Sequence, residues 1–304
     1  MPSVNPRITP GKLSKINACP DKSLVKGIKH KDLASLLEYS LKFIGLTILQ
    51  CFELVKSLHP EILGDKTLDD FIENPKDKGN LGKLIEAFLY GIPNNCESKP
   101  DFNSLIESGE KPPDLKCTKF HERKDKKGWR CHFRVSCTLI GTVNTHDLEK
   151  RKQKRQKFIN EKTLNESSYK EKCTKMLLVI VEEGTKSTEN LWDKKIMHVA
   201  LVDLYEDYSD VLEKDYSLIR NVAIDNSKLI SGSKKKMGAT ALECCPKGPK
   251  GGQECTRAFA LYAPFITEVI AKDMEKRYNR TDLFHKKGKQ LYIDFSKAKP
   301  RTVE

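Results

Sequence analysis

The spacing of apolar residues changes period several times along the chain. Leu33, Leu36, Leu37, Phe43, Ile44, Ile48, Cys51, Leu54 and Leu58 recur at helical spacing. Residues 31–58 therefore read as one helix or a broken pair, ended by His59-Pro60. A short helix is expected over 67–74 with Thr67 as its cap. Asn80 can cap a further helix through Leu81, Leu84, Ile85, Phe88 and Leu89 that stops at Gly91. Residues 112–120 begin a strand, and residues 129–140 alternate as another, with Phe133, Val135, Cys137 and Leu139 on one face. The unbroken run "KMLLVIVEE" over 175–183 reads as a strand buried on both faces, and "KIMHVALVDL" as a second strand. A helix over 210–224 turns Leu212, Tyr216, Ile219 and Val222 or Ala223 inward. Two short strands then flank a Gly/Pro/Lys loop, and a final helix covers 267–278. Strands in the middle with helices around them predict a mixed α/β fold.

Charge narrows the classes of partner. The 304 residues carry 55 Lys and Arg against 42 Asp and Glu, a net charge of +13. Such an excess suits a polyanion, although a soluble protein can simply be basic. The longest apolar run, 41–55, is broken by Gln50 and Glu53 and falls short of a bilayer, so no membrane partner is expected. Residues 1–28 are basic and Pro-punctuated and lack the apolar core of a secretory signal. They predict a disordered tail on an intracellular protein. The ten cysteines lack zinc-ribbon spacing and read as reduced, buried thiols; a zinc set from Cys244, Cys245, Cys255 and a His is the alternative. His121, His132, His146 and His198 share no spacing and read as structural. The basic run 150–157 is a solvated face or a phosphate-tracking insert.

The chemistry concentrates between residues 86 and 116. Glu86 follows directly on Leu84 and Ile85, so it sits on or beside an apolar helix face, where a carboxylate is costly unless paired. Asp101 follows Pro100 in a loop. Asp114 and Lys116 flank Leu115, and in a strand alternate residues share a face. That pair is either a surface ion pair or part of a metal-dependent site. Three carboxylates and a lysine on helix, loop and strand match what phosphodiester hydrolysis needs. Hard oxygens hold Mg²⁺, the metal activates water, and the lysine offsets charge on the phosphate.

These segments resemble, in order and spacing, the MutH-like endonucleases: the mismatch-repair nicking enzyme and the GATC-cutting restriction enzymes of the PD-(D/E)xK superfamily. "PKDKGNLGKLIEAFLYG" is similar to the family's helix with a catalytic Glu, here Glu86. "SKPDFNSL" resembles the segment with the metal-binding Asp, here Asp101, and "PDLKCTKF" the Glu-Leu-Lys-Thr strand, giving Asp114 and Lys116. "YKEKCTKMLLVIVEEG" resembles the passage with a further active-site lysine, which falls on Lys172, although Lys170 and Lys175 lie beside it. "ALECCPKGPKGG" and "TRAFALYAPFITEVIAKDM" look like the DNA-reading loop, strand and helix. The likeness runs over about 74–274.

The resemblance implies a restriction-endonuclease-like α+β core with two lobes around a DNA cleft. The nuclease domain would cover 29–295, with the N-terminal lobe and central sheet to about 205 and a DNA-reading lobe over about 206–295. Mg²⁺, replaceable by Mn²⁺, would be held by Asp101, Asp114 and Glu86, with Lys116 and Lys172 at the water and phosphate. Pro246, Lys247, Arg257 and Tyr262 would contact double-stranded DNA at GATC. Three features depart from the family: Asp114 stands where it has Glu, the gap from Asp101 to Asp114 is longer, and Cys245 stands where its loop has Arg. The altered loop and extra length favour a type II restriction role. The alternatives are a mismatch-repair-type nickase and a catalytically weak DNA-binding protein. With one motif set per chain, cutting both strands needs a transient homodimer on DNA or two successive nicks.

Overall fold

A computed structural model describes residues 28–71, 80–92, 100–102, 105, 109–139, 156–158, 160–183, 190–225, 238–247 and 256–298. The expected tail up to residue 27, His146, most of the basic run 150–157, the Gly/Pro/Lys loop and Cys255 lie outside the described residues.

The first apolar stretch forms the broken pair of helices, α1 (Leu33–Leu41) and α2 (Ile48–Leu58). Both open with reciprocal caps, Asp32 with Ser35 and Thr47 with Gln50. Between them Gly45 takes φ +86, a left-handed conformation that a side chain resists. Its N–H donates to the Ile196 carbonyl at 2.7 Å, which fastens the break to the central sheet. The expected helix over 67–74 is a 3₁₀ turn, Leu68–Phe71, within the described residues. Thr67 does not cap it through its side-chain acceptor; the Asp70 carboxylate instead accepts from the Thr67 N–H.

Helix α3 (Asn80–Leu84) passes directly into a π-helical turn, Ile85–Leu89. After β1 (Asp114–Arg123) come β2 (Gly128–Cys131) and β3 (Val135–Leu139). The single strand expected over 129–140 is thus two strands in different sheets, and Phe133 lies exposed in the link between them. Alternation continued through the break because local periodicity does not register a change of pairing partner. Helix α4 (Ser168–Cys173) leads to β4 (Lys175–Glu182) and β5 (Ile196–Asp203). Helix α5 (Leu204–Asp225) starts earlier than its apolar pattern suggested and is kinked at Tyr208. β6 (Leu242–Lys247) and β7 (Thr256–Leu261) are the two short strands, followed by α6 (Ala263–Tyr278). A last hairpin, β8 (Phe284–Lys287) and β9 (Gln290–Ile293), had no counterpart in the sequence reading.

The architecture is mixed α/β. A six-stranded sheet runs β5-β4-β1-β2-β9-β8, and β3-β7-β6 form a second, smaller sheet. β1 and β4 are parallel neighbours, with Asp114 opposite Met176 and Phe120 opposite Glu182; the other pairs are antiparallel. β4 is buried on both faces, as its unbroken apolar run required. Leu177, Val179 and Val181 face a core with α1, α2, α3 and the π turn. Met176, Leu178 and Ile180 face a second core with α5, α6 and the smaller sheet. No described helix is long and apolar enough to cross a membrane.

Candidate active site

The two cores meet at the start of β1, and there the carboxylates gather. Asp114 is fully buried. Its neighbour Leu115 turns to the opposite face and into the core beneath the π turn, 1% exposed. The period of two therefore stands Lys116 beside Asp114, and the two side chains form an ion pair. The lysine also donates to the Leu115 carbonyl at 3.1 Å. Asp101 reaches the same spot from its loop and accepts the Leu115 N–H at 2.8 Å.

Aromatic packing ties this loop to the helix that carries Glu86. Phe102 sits edge-on to Tyr90, ring centroids 5.3 Å apart. Tyr90 directly follows the π turn, and its hydroxyl donates to Ser40 at 3.0 Å. Tyr39 donates to the Leu89 carbonyl at 2.7 Å, closing the end of that turn. A π turn inserts one extra residue per turn, and such bulges concentrate at functional sites. Here it buries Ile85, Phe88 and Leu89 while leaving Glu86 half-buried beside the carboxylates.

Lys172 arrives from the other core. Its ammonium lies 3.9 Å from Asp114 Oδ1. The two lysines beside it in sequence go elsewhere: Lys170 lies over the Tyr205 ring at 3.8 Å, and Lys175 faces Asp203. Helix α4 is only six residues long, so its ends fix its direction. Ser167 caps it by accepting the Lys170 N–H at 3.1 Å, and Tyr169 is buried against Phe259. Lys111, which no sequence motif marked, donates to the Lys170 carbonyl at 3.2 Å and so holds the helix's C-terminal turn.

The electrostatics follow from this crowding. Burial, and then the Asp101 charge, push the Glu86 carboxyl from its ordinary 4.5 to about 7, against the opposing pull of Lys116. Burial also pushes Asp114 up from 3.8 to about 6, although Lys116 pulls it down. Each Asp114 oxygen faces an ammonium group, Oδ2 that of Lys116 and Oδ1 that of Lys172 at 3.9 Å. Three carboxyl groups gathered here, the buried Asp114 with Glu86 and Asp101 beside it, fit a hard divalent cation. The donor set is all oxygen, as Mg²⁺ or Mn²⁺ prefers.

All five residues singled out for catalysis thus come together: Glu86, Asp101, Asp114, Lys116 and Lys172. Of the four expected DNA contacts, Pro246, Lys247 and Arg257 share one hairpin end and Tyr262 stands apart. Pro246 pairs with Arg257, and Lys247 with Thr256, at the loop end of the β6–β7 hairpin. Tyr262 follows Leu261, which pairs with Leu242 at the opposite end of the ladder. Its N–H donates to the Ala241 carbonyl at 2.8 Å, and it stands at the N-terminal boundary of α6 without a side-chain cap bond. The antiparallel register separates it from Lys247 by six residues along the ladder, or ~20 Å. The side chains of Pro246, Lys247 and Arg257 are outside the described residues. Cys244 and Cys245 are buried thiols, in keeping with packing.

Sequence reasoning also passed over a cluster far along β1, where His121, His132 and Glu183 converge. Their positions carry no common spacing, so only strand pairing could reveal them. His198, read as structural, is buried and bonds Asp273 at 2.8 Å. No protein-family model matches this chain, and no curated protein is similar enough to count as a match.

Proposed function

We propose that the protein is a Mg²⁺-dependent DNA endonuclease of the MutH-like, restriction type, and that it cuts at GATC. One observation carries this reading. Four residues spread from position 86 to 172, Glu86, Asp101, Lys116 and Lys172, converge on one buried carboxylate, Asp114, from a π turn, a loop, a strand and a short helix. An ordinary surface ion pair would not bury its carboxylate or draw in two further acids. Three acids crowded in one place repel one another, and a divalent cation resolves that repulsion.

The division of labour follows from position. Asp101, Asp114 and Glu86 would hold the cation. When bound, it polarises a phosphoryl oxygen and lowers the pKa of a water. Lys116, against Asp114, offsets the charge that grows on the scissile phosphate. Lys172 approaches from the opposite core and orients the attacking water or the phosphate. Without the cation, burial and the Asp101 charge let Glu86 keep its proton up to about pH 7; a bound divalent cation would favour its ionised, ligating form. The net charge of +13 supports a polyanionic substrate.

The test uses purified protein, Mg²⁺, and plasmid DNA unmethylated or adenine-methylated at GATC, with the ends mapped. Discrete double-strand cuts at GATC support the restriction role, and nicks alone move it to the repair type. Lys116→Ala should lower cleavage by ~100-fold or more, the scale of one transition-state charge contact, with DNA binding retained. Cleavage within a few-fold of wild type would sink the assignment.

A further inference from the structure

We propose a second metal site, for a zinc-class ion, built from His121, His132 and Glu183. It goes beyond the nuclease reading and does not depend on it. These residues come from three chain segments: β1, the link after β2, and the end of β4. β1 and β4 run parallel, so their C-terminal ends meet, and β2 returns antiparallel to the same place. The backbone locks the junction: Glu183 N–H donates to the Phe120 carbonyl at 2.8 Å, and His132 N–H to the Lys119 carbonyl at 3.3 Å.

The side chains converge as ligands do. Nδ1 of His132 stands 2.7 Å from Glu183 Oε2, and Nδ1 of His121 stands 3.5 Å from the same oxygen. One ligand atom from each of the three residues lies within 4.8 Å of the others. Ligands of a tetrahedral zinc at ~2.0–2.1 Å are ~3.3 Å apart, so small side-chain rotations complete the set. The His132 ring is held by stacking on Phe133, centroids 4.4 Å apart and planes at 28°. Phe133 is 49% exposed, and this stack gives an exposed aromatic a local role.

Two imidazoles and one carboxylate suit zinc and its transition-metal neighbours better than Mg²⁺, which prefers oxygen alone. Three protein ligands leave a fourth position for water. The site also stands apart from the first. His121 lies seven positions beyond Asp114 on one strand, about 23 Å at ~3.3 Å per residue. An ion here would clip β1, β4 and the β2–β3 link together at the end of the sheet away from the acids.

The experiment titrates Zn²⁺ into chelator-stripped, full-length protein against a chromophoric competitor. One tight equivalent is expected for wild type. It should weaken tenfold or more in His132→Ala and in Glu183→Gln, with circular dichroism unchanged, and persist in Asp114→Asn. No tight equivalent in wild type, or an unaltered one in the His121→Ala/His132→Ala double variant, overturns the site. Because ten cysteines offer a rival ligand set, the wild-type Co²⁺ spectrum gives a second readout that needs no variant. Ligand-field bands without thiolate-to-cobalt charge transfer support the site, and a charge-transfer band assigns the metal to cysteine and overturns it.

Discussion

At the scale of single residues, the acids carry the proposed chemistry and the largest departures of carboxyl pKa from its ordinary range. Glu86 is the most informative. Burial and the neighbouring Asp101 raise its folded-state pKa from 4.5 to about 7. The folded protein therefore holds that proton more tightly than the unfolded chain. The stabilisation is fully present below pH 4.5 and is lost as pH rises through 7. Discounted for the part of the side chain that meets solvent, the loss is on the order of 2 kcal/mol. Glu86→Gln removes the titration. In urea unfolding without divalent cation, the variant should show a flatter pH dependence across this window and should match or exceed wild type above pH 7. A wild-type slope in the variant would mean that Glu86 is not the group responsible. With Mg²⁺ present, the same variant should lose cleavage.

At the scale of elements, the short pieces matter more than the long ones. Helix α4 is six residues, too short to stand by its own propensity. Its direction decides whether Lys172 reaches Asp114, and that direction is set by the Ser167 cap, the buried Tyr169 and the Lys111 contact. Ser167→Ala removes the cap and should cost about 1 kcal/mol in urea unfolding. It should also lower cleavage severalfold, whereas Lys170→Ala should leave the rate near wild type because Lys170 faces Tyr205. Equal losses from both would count against a directing role for the cap. The resemblance placed the active-site lysine at Lys172, but the spacing in "YKEKCTK" by itself does not say which of Lys170, Lys172 and Lys175 turns toward β1.

At the scale of the whole molecule, the central sheet divides the labour. One core carries Glu86 and Asp101 to the start of β1, and the other carries Lys172 to the same point. Mutual repulsion among the acids is held in place by packing on both sides, with β4 buried from Met176 to Val181. The charge of +13 also acts at this scale. Binding to duplex DNA should weaken ~10³-fold between ~50 and ~200 mM salt, as expected for about six phosphate contacts. A fluorescence-anisotropy titration at several salt concentrations measures it, and a flat response would leave the basic surface without a role in DNA binding.

The amino-acid sequence by itself determined what local geometry controls. Apolar period marked the broken α1–α2 pair, β4, β5 and the final helix. The period of two placed Asp114 and Lys116 on one face, because adjacent strand residues must alternate. Tertiary structure decided everything that depends on which segments pair. It split residues 129–140 between two sheets, and it chose Lys172 over Lys170 and Lys175. It parted Tyr262 from Lys247, and it brought His121, His132 and Glu183 together from three chain segments. The physical reason is the same in each case. A residue's spacing sets the direction of its side chain, whereas the partner it meets is set by sheet register and packing with residues distant in sequence.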